Sequence, residues 1–597
     1  MVIESKLPTF LEWLLPSTES PGAIIAFIVM IFLVCMVCSL LSYLFVAIRQ
    51  GPSEAFYTVT GVMRTGVFEW LQTSPRRVYA LARLAIQEAI RRKILIVFAM
   101  FIGLLLFAGW FLDVRSDHPA ELYLSVVLTA ANFLVLLLGL FLSTFSLPQD
   151  IQKRTIYTVV TKPVHSGEVV LGRILGFGTV GTAILVVMCL VSYGFVVRGM
   201  SHDHIVDPSD PSKTSLDSHH RHQITYGDEG YGETDVIMDH WHEVRNIGSK
   251  DSPKWEVGPA LGAFQSRVPA YGHLRFLGRD GQPGEGINVG YEWAYRKYIE
   301  GRTGAAAIYR FENITKENFP DGLPIEMTLS VFRTHKGDIE KGVNGTIELR
   351  NPDPKGSGFV RSEPFVFTSQ EYATHEEFIP RTVRAFKADN KSGDSVDIFE
   401  ELAPDGNLEI WVQCTDPAQF FGMANADVYL RRADTSFFFN FVKCHISMWF
   451  QMIIVISFGV MFSTFLNGPV ALLATNTAFT LGYFRSFIAG VVFGDIEGGG
   501  PIESLVRIIT QNNVMVDLDP GTRTTFIKAV DYLFGLPVAG LGAVLPNLGD
   551  FGTSEFVSKG FSIDFSIILI QGSTAFAFFV CLSIASYFFL KTRELAA

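Results

Sequence analysis

The chain has 597 residues, 49% of them hydrophobic and 18% charged, with a formal net charge of −11 and a mean hydropathy of +0.30. Such a balance disfavours a wholly soluble enzyme and implies membrane spans joined to a substantial soluble part. The acidic surplus argues against nucleic acid as a partner.

Seven apolar runs stand out in chain order: Ala23–Ile48, Ile94–Leu112, Leu122–Leu147, Val169–Val197, Phe441–Leu466, Val470–Gly494 and Phe565–Leu590. About 20 residues at ~1.5 Å each cross ~30 Å of hydrocarbon, so each run reads as a span. The first is too long for a cleavable signal segment, and Glu4, Glu12 and Glu19 precede it against a single Lys6. It reads as an anchor (1–48) with its N-terminus outside. Arg49–Lys93 then holds eight Lys/Arg against Glu54, Glu69 and Glu88, which places it in the cytoplasm. Within it Ser74-Pro75 opens a helix in which Val78, Leu81, Ala85 and Ala89 recur at helical spacing, while Arg76, Arg77, Arg83, Gln87 and Arg91 form a basic face. This predicts an interfacial elbow helix leading into the next span. Counting onward puts Arg198–Asn440 and Asp495–Asp564 outside and the Lys591–Ala597 tail inside. Lys591 and Arg593 agree with that side.

The loop between the third and fourth runs carries the most information. Pro148–Gly172 reads PQDIQKRTIYTVVTKPVHSGEVVLG. Ile151, Ile156 and Val159 among polar neighbours suit a short surface helix. Pro163 fixes its own φ and disfavours helix at Lys162, after which Ser166 is placed to cap the next helix with Glu168 in its first turn. The order Asp150, Arg154-Thr155-Ile156, Thr161-Lys162-Pro163-Val164, Glu168 and Leu171-Gly172-Arg173 resembles the cytoplasmic coupling loop (148–168) of ABC transporter permease subunits of the six-span exporter type. The resemblance implies that Asp150, Arg154, Thr155, Lys162, Pro163 and Glu168 couple the chain to a separate ATPase subunit. It also implies a first permease half at 94–197, a second at 441–597, and a homo- or heterodimer of permeases. The anchor span and the large outer region lie outside the family pattern. Val544–Phe551 resembles, weakly, a segment before the family's last span.

Arg198–Asn440 carries 26 Lys/Arg against 38 Asp/Glu, as suits a solvated extracytoplasmic region. Its first part, 198–257, is polar and lacks periodicity, and reads as a linker. Seven of the thirteen histidines fall there: His202, His204, His219, His220, His222, His240 and His242. Imidazoles are competent metal ligands, but no framework is evident, so a solvated linker is the default and no metal is assigned. A cation handler using these residues remains a third reading. From 258 to 440, Ile325/Met327/Leu329/Val331, Ile347/Leu349, Leu408/Ile410/Val412 and Val428/Leu430 alternate with polar residues between turn signals. This predicts an all-β sandwich. Short helices are expected at Pro501–Thr510 and Thr524–Leu533 in the outer loop 495–564.

Other motifs add little chemistry. Gly-Lys never occurs, so no phosphate-binding loop is present and ATP with Mg belongs on a partner; the chain itself is expected to bind no cofactor and to be no enzyme. Gly172, Gly176 and Gly178 lie in an apolar span and read as a smooth helix-packing face rather than a dinucleotide loop. Cys35 and Cys38, one turn apart in an apolar run, read as packing residues. Asn476 and Arg485 are polar within Val470–Gly494: Asn476 is placed to bond a neighbouring helix, and Arg485 to snorkel if the span ends near Tyr483. The expected protein is a multi-pass helical inner- or plasma-membrane protein of about seven spans, with its β domain inserted between spans four and five, in contact with lipid and an ABC ATPase. The alternative is a membrane-anchored extracytoplasmic binding or sensing protein.

Overall fold

The computed structural model describes residues 9–17, 21–91, 96, 99–105, 118–152, 164–217, 219–227, 230–248, 254–289, 295–334, 341–354, 358–369, 374–387, 393–493, 498–512 and 518–596. They form two units: a β-rich one over Gln265–Phe437 with Gly560–Ser562, and a mainly helical one over Pro8–Phe264, Phe438–Lys559 and Ile563–Ala597.

The helical unit contains Gly22–Gln50 (α1), Pro52–Leu71 (α2), Pro75–Arg91 (α3), Pro119–Gln152 (α4), Ser166–Met200 (α5), Phe437–Ser463 (α6), Gly468–Tyr483 (α7), Arg485–Phe493 (α8), Pro501–Thr510 (α9), Thr522–Val544 (α10) and Phe565–Ala596 (α11). Five of these, α1, α4, α5, α6 and α11, are long and apolar enough to cross a membrane. Along α1, side chains such as Ile28, Phe32 and Leu40 stay exposed, as a lipid-facing helix requires. Gly51 at φ +95° ends α1, and Pro52 opens α2 at once, a pairing that suits glycine's tolerance of positive φ and proline's place at a helix start. Sequence periodicity does not mark α2.

Of the two remaining apolar runs, one cannot be followed and one is interrupted. Ile94–Leu112 lies largely outside the described residues. Val470–Gly494 is broken: α7 ends at Tyr483 and α8 starts at Arg485. Sixteen residues rise only ~24 Å, short of a ~30 Å hydrocarbon core. The helix expected at Thr524–Leu533 runs on as α10 through Pro537 to Val544.

In the β-rich unit, one antiparallel sheet centres on Val343–Arg350, Leu408–Cys414 and Ala306–Phe311, and a second orders Thr374–Pro380, Gly322–Thr328, Val428–Arg432 and Val268–Tyr271. Register pairs Ile347 with Val412 and Ile410 with Tyr309. These residues share one core with Leu323, Ile325, Met327 and Leu430 of the second sheet, so two sheets bury alternate side chains against each other. Glu326 breaks the expected inside–outside alternation. It is 2% exposed, and its carboxylate accepts from Arg267 at 2.9 Å, Arg431 at 3.0 Å and the Tyr429 hydroxyl.

The segment 198–257 is not a structureless linker. It carries Ile224–Tyr226 (β1), Tyr231–Thr234 (β2), Trp241–Asn246 (β3) and Trp255–Leu261 (β4), in an antiparallel sheet ordered β1-β2-β3-β4. β4 also takes residues 258–261 from the region expected to begin the sandwich. Hydrophobic periodicity misses this small domain because much of what it buries is histidine: His222 and His242 are as enclosed as Val244.

Glu326→Ala will remove the buried carboxylate that Arg267, Arg431 and the Tyr429 hydroxyl share, leaving Arg431 only its pair with Asp434. Losing one member of a buried ionic set costs about 3–5 kcal/mol, so the thermal unfolding transition of the β-rich unit in the purified full-length chain should fall measurably.

Candidate functional site

The helices flanking residues 153–163 meet in a built junction. On α3, Val78, Ala82, Ala85 and Ala89 are buried, a stripe of small side chains at helical spacing. It packs on α5, where a Cβ added to Gly172 would lie 2.5 Å from the Leu81 Cβ, and one added to Gly176 would lie 2.6 Å from the Ala85 Cβ and 2.7 Å from the Ala82 carbonyl oxygen. Small residues on both sides let the two backbones approach closely. Gly178 faces another neighbour, Ile453 of α6, at 3.0 Å.

Charge fixes the ends of this pair. Glu168 is fully buried in the first turn of α5. Its carboxylate accepts from the backbone N–H of Ser74 at 2.7 Å, from that of His165 at 3.1 Å, and from the Arg77 Nε at 2.9 and 2.8 Å. One carboxylate thus satisfies donors at the N-terminal ends of both α3 and α5, where helix dipoles favour negative charge. The N-cap is His165, and Ser166, expected to be the cap, is the first helical residue. One turn further, the Arg173 guanidinium binds Asp150 of α4 and Glu88 of α3, the latter at 2.9 Å, and the Ser146 hydroxyl donates to Glu88 at 2.9 Å. Asp150 and Glu168, at the two ends of 151–167, are therefore each held by an arginine. Arg154, Thr155, Lys162 and Pro163 lie outside the described residues.

Arg77 and Glu88 were missed because both fall on a helix face that reads as solvated; only the tertiary partner on α5 turns them inward. A second tie joins α2 to α11, where Glu69 accepts from Tyr587 at 2.9 Å and Lys591 at 3.1 Å.

Of the other polar candidates, Asn476 is exposed on α7, so the expected bond to a neighbouring helix is not made by a buried amide there; its neighbour Thr475 is buried and turns back to the Ala471 carbonyl at 2.7 Å. Arg485 sits at the break between α7 and α8 and donates to the Leu545 carbonyl at 2.9 Å, just past α10. Its charge is thereby met by an open helix end.

Six of the seven clustered histidines come together in the small domain, namely His202, His204, His220, His222, His240 and His242; His219 is exposed outside the cluster. The signal was present in the sequence as three His-x-His pairs spaced 18 and 20 residues apart. Comparison with known proteins finds no family model, no curated protein and no solved structure that matches this chain.

Gly176→Leu should force α3 and α5 apart at a cost of about 1–3 kcal/mol for overpacking, whereas Gly194→Leu on the same helix, where an added Cβ meets open space, should be nearly neutral. Thermal unfolding of the two variants in the same detergent compares them directly.

Proposed function

We propose that this chain is the permease subunit of an ATP-driven ABC transporter, coupling ATP hydrolysis on a separate ATPase subunit to export across the inner or plasma membrane. In this reading the span count rises to about seven by adding 94–112 and the α7 region, the N-terminus lies outside and the C-terminus in the cytoplasm. Two permeases, identical or related, pair with the ATPases, and ATP and Mg bind there rather than on this chain.

The observation that carries the reading is the paired clamp at the base of the coupling segment. A loop that only oriented the chain in the membrane needs no rigid footing. Here the segment leaves α4 beside Asp150–Arg173 and returns into α5 beside Glu168–Arg77, with α3 wedged against α5 by small residues. Force that reaches Asp150 and Glu168 therefore passes into two apolar helices held by these ion pairs. The ordered run from Asp150 to Arg173, which resembles the family's coupling loop, supplies the chemistry for docking: Arg154 and Lys162 as cations, Pro163 as the stiff corner.

Arg154→Glu combined with Pro163→Gly should abolish co-purification of the ATPase from native membranes, while the yield of membrane-inserted chain is unchanged. Full retention of the ATPase would refute the assignment.

A further inference from the structure

The six histidines form a figure more ordered than a cluster. The first residues of the three His-x-His pairs, His202, His220 and His240, make one triangle, with ring centroids 4.7–4.9 Å apart. The second residues, His204, His222 and His242, make another at 4.9–5.2 Å. The triangles are staggered. His202 lies beside His204 and His242, leaving His222 opposite; His220 lies beside His204 and His222, leaving His242 opposite; His240 lies beside His222 and His242, leaving His204 opposite. Two staggered triangles are an octahedron.

The nitrogens have the matching scale. Adjacent Nε2 atoms stand 3.0 Å apart for His202/His240 and His220/His240, and 3.2 Å for His204/His220 and His222/His240. An octahedral edge is √2 times the centre-to-vertex distance, so these edges place the centre about 2.1–2.3 Å from the nitrogens of His202, His204, His220, His222 and His240, next to the ~2.0–2.1 Å of a metal–imidazole bond. The ligand atoms of His202, His204, His222, His240 and His242 all fall within 4.8 Å of one another, wide enough for the diagonal as well.

The opposite ring nitrogens are fixed by the backbone. Nδ1 of His202 meets the Met200 carbonyl at 3.0 Å, His204 that of Ser215 at 2.8 Å, His222 that of Asp235 at 2.8 Å, His240 that of Met238 at 3.1 Å, and His242 that of Gly258 at 2.8 Å. A carbonyl only accepts, so each of these Nδ1 atoms carries the proton and each Nε2 presents a lone pair. This is the tautomer and outer-shell arrangement of a metal-bound histidine. Neutral lone pairs facing each other at 3.0–3.2 Å cannot hydrogen-bond, and a single water has only two protons to offer. A cation at the centre satisfies them together. Backbone strain points the same way: Met238 and Asp239 both have positive φ immediately before His240, a conformation unfavourable to a side chain such as methionine.

The geometry points to a closed, six-coordinate site for one first-row divalent transition metal ion, held by Nε2 of His202, His204, His220, His222, His240 and His242. Six nitrogens and no carboxylate disfavour Mg2+ and Ca2+, which take oxygen. Octahedral geometry suits Ni2+, Co2+ or Fe2+ better than zinc, whose structural sites are tetrahedral. With all six positions filled by protein there is no place for substrate, so the ion is structural: it pins the small domain to the end of α5, whose last residue Met200 holds His202, and beside the start of α4, where His118 pairs with Asp239 at 2.7 Å. The site stands whether or not the chain is a permease.

The test uses the full-length chain purified in detergent with a tag free of histidine, stripped with chelator, incubated with NiCl2, CoCl2, ZnCl2 or MgCl2, and desalted. About one Ni2+ or Co2+ per chain should remain by elemental analysis, Mg2+ should stay at background, and bound Co2+ should give the weak visible bands of six-coordination. His220→Ala with His242→Ala, which removes an opposite pair, should lower retained metal at least tenfold, and His219→Ala should leave it unchanged. Background Ni2+ and Co2+ on the wild-type chain would overturn the site whatever the variants do. An intense four-coordinate cobalt spectrum would overturn its octahedral form.

Discussion

The helical unit depends on a close approach between α3 and α5, and that approach is possible only because one buried carboxylate serves both helix ends. Glu168 accepts from Ser74, His165 and Arg77 at once, so neither N-terminus is left with open donors where the helices converge. Leu81 and Ala85 then sit over Gly172 and Gly176 with no room for another carbon. Shift either helix by a turn and both the carboxylate and the glycines lose their partners. The position of Arg173 follows from the same register, one turn along α5, and with it the tie to Asp150 and Glu88. In the proposed permease this is what makes the coupling segment a lever with fixed footing.

Three of the places where the molecule buries polar groups satisfy them differently. Glu168 and Glu326 are carboxylates met by arginines and hydroxyl or amide donors, the arrangement that offsets desolvation of an ion. The histidine cluster instead turns imidazole nitrogens toward one another, and among the described residues the group holds no carboxylate. Domains this small gain little from hydrophobic burial, and the sheet β1–β4 is short of aliphatic residues. A bound ion would supply the missing cohesion, because metal-binding free energy at such a site is folding free energy.

Much of the architecture was legible from residue patterns. The long apolar helices α1, α4, α5, α6 and α11 follow from apolar runs, and the sandwich strands follow from period-two alternation such as Leu408/Ile410/Val412. The elbow helix was announced by Ser74-Pro75 and its small-residue stripe. Misreadings came where an interaction between distant residues overrides local character. Arg77 and Glu326 look solvated beside their sequence neighbours, yet each is drawn into an ion pair by a residue 91 or 105 positions away. The run Val470–Gly494 looks continuous, yet Arg485 ends α7 by reaching a carbonyl 60 residues on.

By itself the sequence determined which segments are apolar enough to leave water, which alternate as strands, and where basic loops lie, since these depend on side-chain chemistry and period alone. Tertiary structure decided which polar side chains are enclosed and what they face. Three His-x-His pairs separated by polar residues have no local preference for one another. Only the folding of β1–β4 brings their nitrogens within 3.0–3.2 Å, because convergence on a point is a property of three dimensions that spacing along a chain does not encode.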